Sequence, residues 1–179
     1  MEGYNMTKPI PIDEEIELDP RRYIISETDA KGKITFANDY FMEVSGYTLD
    51  ELIGKSHNIV RHPDMPKVVF KFLWETISKG RNINAVVKNL AKDGRYYWIF
   101  TEFESIKDAD TGEIIGYHAD RKSISKHVLE VIAKLYAELL EIEKKEGVEA
   151  SEKYLIAFLK EKGDDIEFAN IMEEIHLFY

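Results

Sequence analysis

The chain has 179 residues, of which 44% are hydrophobic and 12% aromatic, so it can form one domain with a core and an additional segment. Its formal net charge of −10 argues against nucleic acid as a partner, and no apolar run approaches the roughly 20 residues that span a membrane. The sequence has no cysteine, which excludes disulfides, thiolate metal sites and cysteine nucleophiles.

Residues 1–22 show little periodicity, and we expect them to form an N-terminal arm. Three apolar side chains in this arm, Ile12, Ile16 and Leu18, are expected to dock on a core. The stretch is otherwise polar and acidic and contains prolines, so it does not resemble a signal peptide. We therefore expect a cytoplasmic protein without direct membrane insertion.

A β-hairpin and two short helices are predicted after the arm. Residues 23–28 and 33–37 read as two strands, because a turn that begins with Asp and ends with Gly separates them. A short helix is expected over residues 40–45. A second short helix begins at Thr48, since Thr48 and Glu51 match the capping-box spacing.

Residues 58–67 form a polar run within an apolar part of the sequence. Its two prolines exclude the interior of a helix, and a helical pattern opens after Pro66. A rigid turn that presents Arg61, His62 and Asp64 beside a helix can hold an anionic or polar ligand. The same residues also fit a plain helix start, with Asp64 near the N-cap and Pro66 at the first helical position.

One longer helix and three strands follow this run. Residues 66–79 place apolar side chains on one helical face, and a glycine closes the pattern. Strands are predicted over residues 83–92, 95–107 and 113–123, the first two joined by an Asp-Gly turn. Five strands joined largely by hairpins predict an α+β fold, in which short helices cover one face of a five-stranded antiparallel sheet.

The sequence divides into the arm, a domain over residues 23–124 and a helical segment over residues 125–179. The last segment begins with a heptad seam formed by Val128, Ile132, Leu135, Leu139 and Ile142. Two further helices are predicted over residues 151–162 and 164–177, separated by Gly163. The seam is too short for an independent coiled coil, so we expect it to pack on the sheet, on the last helices or on a second copy in a homodimer.

Several short motifs resemble the PAS domain of the aerotaxis receptors over about residues 23–123. They are Thr28-Asp29, Ala37-Asn38-Asp39, Val44-Ser45-Gly46-Tyr47, His57-Asn58, Arg61-His62-Pro63-Asp64-Met65-Pro66 and Val87-Lys88-Asn89. The resemblance implies a PAS fold. It further implies a sensor that binds FAD, held without a covalent bond between the long helix and the sheet, and that reports redox state.

The resemblance also implies particular FAD contacts and a mode of output. The residues that match the family's FAD-binding positions are Asn38, Arg61, His62, Asp64, Trp74 and Asn89. Aerotaxis receptors continue into a membrane anchor and a signalling domain, which this sequence does not show. The expectation is therefore a stand-alone PAS protein that contacts a separate membrane-bound, chemotaxis-type transducer.

Two other functions remain open from the residues alone. A haem-binding gas sensor could use His57, His62 or His118 as an axial ligand. A cofactor-free interaction module is the other, but it would leave buried polar side chains in need of partners. We expect no enzymatic activity, because the sequence shows no nucleophile with a base, no metal-ligand cluster and no phosphate-binding loop.

Illumination gives the first test. With no cysteine in the sequence, a flavin bound to this protein cannot form a cysteinyl adduct under blue light. We expect the absorbance spectrum of the flavin-loaded protein to show no bleached adduct that recovers thermally in the dark. A spectrum with that adduct signature would contradict this expectation.

Overall fold

Five antiparallel strands form the centre of the computed structural model, which describes residues 8–162. The strands are β1 Ile24–Asp29, β2 Ile34–Ala37, β3 Ile83–Leu90, β4 Tyr96–Lys107 and β5 Ile114–Lys122. Their order in the sheet is β2-β1-β5-β4-β3, and every neighbouring pair is antiparallel. This arrangement confirms the predicted α+β class and places all five strands within two residues of their predicted bounds.

Short helices cover one face of the sheet. They are α1 Asp39–Ser45, α2 Leu49–Leu52, a 3-10 turn His57–Val60 and α3 Lys67–Ile77. The capping box at the start of α2 is confirmed, because both of its reciprocal hydrogen bonds are present. Pro66 is the N-cap of α3 rather than its first helical residue, since its ψ of 137° is extended. The predicted Asp-Gly turn is also longer than expected, because β3 ends at Leu90 and β4 begins at Tyr96.

Two C-terminal helices, α4 Lys126–Glu146 and α5 Val148–Lys162, join the same core. Trp98 and Tyr97 point to opposite faces of β4, and the ring of Tyr136 on α4 lies 6.3 Å from the ring of Trp98. The Tyr136 hydroxyl donates to the Val86 carbonyl at 2.8 Å, so α4 also covers the outer edge of β3.

The heptad seam of α4 faces this core, with Ile132, Leu135 and Leu139 buried. Of the three arrangements left open for the seam, the structure shows it buried in a core shared by the sheet and α5, and homodimerisation stays a prediction. The helix predicted over residues 164–177, with Gly163 before it, lies outside the described residues. Within residues 8–162, no helix is long and apolar enough to cross a membrane.

The N-terminal arm runs along the start of β4. The backbone amides of Ile12 and Ile16 donate to the carbonyls of Gly94 and Tyr96 at 2.9 and 2.7 Å. Ile16 and Leu18 pack against the core, as predicted, whereas Ile12 is 45% exposed and the prediction for it is wrong. Ile12 stays exposed although its backbone amide is bonded to Gly94. Residues 1–7 of the arm lie outside the described range.

Candidate functional site

A cavity of about 180 Å³ lies between α3 and the sheet. Helix α3 contributes Phe70, Leu73 and Trp74 to its wall. The strands contribute side chains that alternate towards this face, among them Asn89 on β3 and Thr101 on β4. The cavity therefore lies where the sequence resemblance implies a ligand, between the long helix and the sheet.

The charged side chains that line the cavity are all basic. They are Lys31, Arg61 and Arg121, and among the described residues no aspartate or glutamate lines it. The protein as a whole has a formal net charge of −10, so this local excess of cations runs against the overall composition. A site with this distribution of charge favours an anionic ligand or one with electron-rich atoms.

Arg121 is the most deeply buried of these cations, at 3% exposure. Its guanidinium donates to Ser26 Oγ at 2.9 Å, to the Ala119 carbonyl at 3.2 Å and to His57 Nε2 at 2.9 Å. Burial lowers the pKa of Arg121 to about 10, which leaves the group charged near neutral pH. Within residues 8–162 no carboxylate lies within ion-pair distance of it, and its hydrogen-bond partners there are all neutral.

His57 is held neutral beside this cation. Burial, and next the positive charge of Arg121, lower the pKa of His57 to about 3. Because Nε2 accepts the Arg121 hydrogen bond, the proton of the neutral ring is on Nδ1. The ring also stacks on Phe41 with centroids 5.7 Å apart, which fixes its orientation. His57 thus orients the Arg121 guanidinium without neutralising its charge.

Two polar side chains on the sheet are incompletely satisfied at this cavity. Thr101 Oγ1 is buried and has no hydrogen-bond partner in the described part of the chain. Asn89 is buried, and its Nδ2 reaches the Tyr97 hydroxyl only at 3.5 Å, the limit of a hydrogen bond. Buried polar groups are nearly always satisfied in native proteins, so these two indicate a polar ligand in the cavity.

Arg61 lies at the end of the cavity next to the start of α3. Its backbone pairs with that of Asn89, which fixes the turn against the edge of β3. Its guanidinium carbon lies 3.8 Å from the centroid of the Phe70 ring. It makes no ion pair with any residue in the range 8–162, and it lines the cavity. Arg61 is therefore positioned to meet a ligand group at this end.

The other predicted site residues divide between the cavity and its surroundings. Trp74 lies at the rim, 47% exposed, with its ring edge-on to Tyr117 at 5.3 Å. Asn38 instead caps α1, accepting from Phe41 N at 3.0 Å and from Ile25 N at 3.1 Å. It lies outside the cavity lining.

His62 and Asp64 also lie outside the cavity lining. The Nδ1 atom of His62 accepts from Asp64 N at 3.1 Å, and Asp64 pairs with Lys88 at 3.3 Å. The structure therefore brings Arg61, Trp74 and Asn89 together at the cavity and uses Asn38, His62 and Asp64 in the scaffold around it. An FAD contact at each of these six positions stays a prediction.

The three histidines considered as haem ligands are poorly placed for that role. His57 lines the cavity, but its Nε2 lone pair is occupied by Arg121. His62 lies outside the lining, and His118 lies on the opposite face of the sheet, 3.2 Å from Glu27 and 3.3 Å from Asp120. The arrangement of these side chains therefore gives haem iron no free imidazole nitrogen at the cavity.

Comparison with known proteins agrees with this architecture. A family model described as PAS fold matches residues 34–119. The aerotaxis receptor of Escherichia coli is 41% identical over 116 residues, which are 65% of this chain and 22% of that receptor. The nitrogen fixation regulatory protein of Klebsiella pneumoniae is 28% identical over 101 residues, covering 56% of this chain and 20% of that protein. The chain thus spans about a fifth of the length of these relatives.

A solved structure shares the same fold. The light-state structure of the blue-light photoreceptor Aureochrome1 LOV superimposes with a TM-score of 0.55 at 23% identity. The superposition covers 62% of this chain and 88% of that structure. This likeness concerns the arrangement of the strands and helices.

His57, which is half-buried, and His62, which is buried, generate a test by pH. The pKa values of His57 and His62 are lowered to about 3 and about 4, mainly by burial, whereas the unfolded chain titrates at about 6.5. Between pH of about 6.5 and 4.5 the unfolded chain therefore binds more protons, and lowering the pH destabilises the fold. Each histidine contributes up to about 1.4 kcal/mol per pH unit, which urea denaturation at a series of pH values measures.

The variants His57→Asn and His62→Asn should each remove one histidine's share of this slope, and the double variant should flatten it. A free energy of unfolding that stays constant between those pH values in the unmodified protein would contradict the assignment of both rings as neutral.

Proposed function

Because residues 34–119 match a family model described as PAS fold and the chain forms a five-stranded antiparallel sheet with helices on one face, we propose that the chain is a PAS sensor that binds FAD and reports its redox state. The observation that carries the proposal is the charge of the cavity: Lys31, Arg61 and Arg121 line it without a carboxylate among the described residues. Flavin nucleotides combine an electron-rich ring with phosphate, so both parts of such a ligand are complementary to this lining.

The polar groups of the cavity suit the edge of a flavin ring. Arg121 and Thr101 are neighbours across β5 and β4, and both have hydrogen-bonding capacity directed into the cavity. Asn89 can donate and accept at once, which suits a ring whose own donors and acceptors change on reduction. These three residues would hold the ring.

The other two cationic side chains, Lys31 and Arg61, and the exposed Trp74 ring are suited to the part of FAD outside the flavin ring. Pockets for drug-sized molecules measure roughly 300–1,000 Å³. The cavity of about 180 Å³ is smaller than that, so it holds at most the ring system, and the larger part of a dinucleotide has to lie beyond the rim. Arg61, Lys31 and the exposed ring of Trp74 are the groups available there for phosphate and for aromatic contact.

When bound, a flavin supplies a redox change that adds electrons, and at N5 a proton, to a planar ring. Arg121 keeps its positive charge at neutral pH, because its pKa of about 10 is still well above 7. It therefore favours negative charge on any ligand atom that it contacts. His57 stays neutral and keeps the guanidinium in place, so the electrostatic field in the cavity is fixed before the ligand enters.

We propose that the sensor passes its signal on by contact with another protein rather than by catalysing a reaction. Aerotaxis and regulatory functions are named for the two relatives described above, which supports a role in signalling. A membrane-bound, chemotaxis-type transducer is the proposed partner. A cofactor-free module is disfavoured by the unpaired Thr101 hydroxyl and by the lack of a counterion for Arg121 among residues 8–162.

Reconstitution tests the proposal. Flavin-free protein mixed with excess FAD and then desalted should retain flavin absorbance bands, whereas haemin should give no stable Soret band. The variants Arg61→Ala and Arg121→Met should each bind FAD about 10- to 100-fold more weakly, because each loses a charge-assisted contact worth about 1.5–3 kcal/mol.

The matched control is Arg21→Ala, since the Arg21 side chain is 86% exposed and pairs locally with Asp19. It should leave the affinity unchanged, and circular dichroism should show that all variants remain folded. Wild-type protein that retains no flavin after desalting would rule the proposal out.

A further inference from the structure

The helix that walls the cavity is capped by a residue far away in the chain. Pro66, the N-cap of α3, has no side-chain acceptor for the first amides of the helix. The carboxylate of Glu143 on α4 takes that place, accepting from Lys67 N and from Val68 N at 2.9 Å each. A carboxylate at this position is also favoured by the positive end of the helix dipole.

The same carboxylate ties the two C-terminal helices to α3. The Ser151 hydroxyl of α5 donates to Glu143 at 3.2 Å. A second link joins α5 to α3, where Lys71 pairs with Glu152 at 2.6 Å. Glu143 is therefore the point at which α3, α4 and α5 meet through one charged group.

Glu143 also interacts with the cation at the end of the cavity. Arg61 precedes α3 by six residues and lines the cavity. Burial lowers the pKa of Arg61, and the negative charge of Glu143 opposes this shift. Arg61 and the first amides of α3 thus form one positive region: Glu143 accepts hydrogen bonds from the amides, and its negative charge acts on Arg61 from beyond ion-pair distance.

We propose that the Glu143 carboxylate and the anionic group of the ligand compete for the positive region formed by Arg61 and the start of α3. Glu143 would then be a ligand-sensitive clasp, that is, a contact between α3 and the C-terminal helices that weakens when the ligand binds. The inference rests on the proposed binding of a phosphate-bearing flavin. A phosphate at Arg61 repels the Glu143 carboxylate, so filling the cavity loosens α4 and α5 from α3. Because such coupling is reciprocal, removing the charge of Glu143 strengthens binding of the anionic ligand by the same factor.

The affinity ratio of two ligands tests the clasp. FAD carries phosphate and riboflavin does not, while both share the same ring. The variant Glu143→Gln keeps an acceptor oxygen for the amides of α3 but removes the charge. It should bind FAD at least about fivefold more tightly than wild type and leave the affinity for riboflavin unchanged. Glu141→Gln, the same change on an exposed position of α4, is the matched control and should alter neither affinity.

Hydrogen exchange supplies a readout independent of affinity. In wild-type protein, FAD should speed exchange in α4 and α5, and riboflavin should not. In Glu143→Gln, FAD should make no difference to these helices. FAD binding with an unchanged FAD-to-riboflavin ratio in Glu143→Gln overturns the clasp and leaves the proposed function standing. Absence of binding of either flavin to the wild type overturns both.

Discussion

A buried guanidinium whose partners are all neutral is the constraint on which the site depends. Moving an ion out of water costs several kcal/mol unless charge or hydrogen bonds compensate it. Among the described residues Arg121 hydrogen-bonds only neutral groups, which are the Ser26 hydroxyl, the Ala119 carbonyl and His57, and its guanidinium carbon lies 5.8 Å from the centroid of the Phe41 ring. These contacts fix the group but leave its charge unbalanced. A ligand in the adjoining cavity can supply the negative charge or the acceptor atoms that the Arg121 guanidinium lacks. We assign the cavity a ligand because this charge is buried and has no ionic partner among the described residues.

The turn at residues 61–66 connects that cavity to the rest of the fold. Its backbone pairs with Asn89, and Met65 Sδ accepts from Lys88 N at 3.2 Å, so the turn covers the open edge of β3. Tyr136 covers the same edge from the other side of the sheet. The cavity, the sheet edge and the C-terminal helices therefore share one strand. Asn89 lies on β3, Arg61 pairs with it through the backbone, and Tyr136 of α4 bonds to the same strand. A ligand that contacts Asn89 or Arg61 therefore contacts groups linked to α4 through β3.

The sequence was sufficient for the fold but only partly for the site. Alternation and turn residues located all five strands, and the capping box located α2. The motif around His62 and Asp64 suggested ligand contacts, yet outside the cavity the His62 ring accepts from the Asp64 backbone amide and the Asp64 carboxylate pairs with Lys88. Such local bonds depend on the path of the turn, which the residue types alone do not determine.

Arg121 and Glu143 could not be recognised from the sequence for two different reasons. On β5 both faces carry polar or charged side chains, so alternation does not show that Arg121 points into the core. The sequence does place Arg121 on the same face of β5 as Tyr117 and Ala119. Recognising that face as the buried one requires the neighbouring strands, which the sequence of β5 alone does not supply. Glu143 caps amides 75 and 76 residues earlier in the chain, and only tertiary structure reveals such a cap.

A crystal structure of the protein grown with FAD would test the central claim most directly. The account predicts ring density between α3 and the sheet, with a ring atom within hydrogen-bond distance of the Arg121 guanidinium and of Thr101 Oγ1. Flavin bound on the opposite face of the sheet beside His118, or a cavity in which Arg121 keeps only its contacts to Ser26, Ala119 and His57, would contradict it.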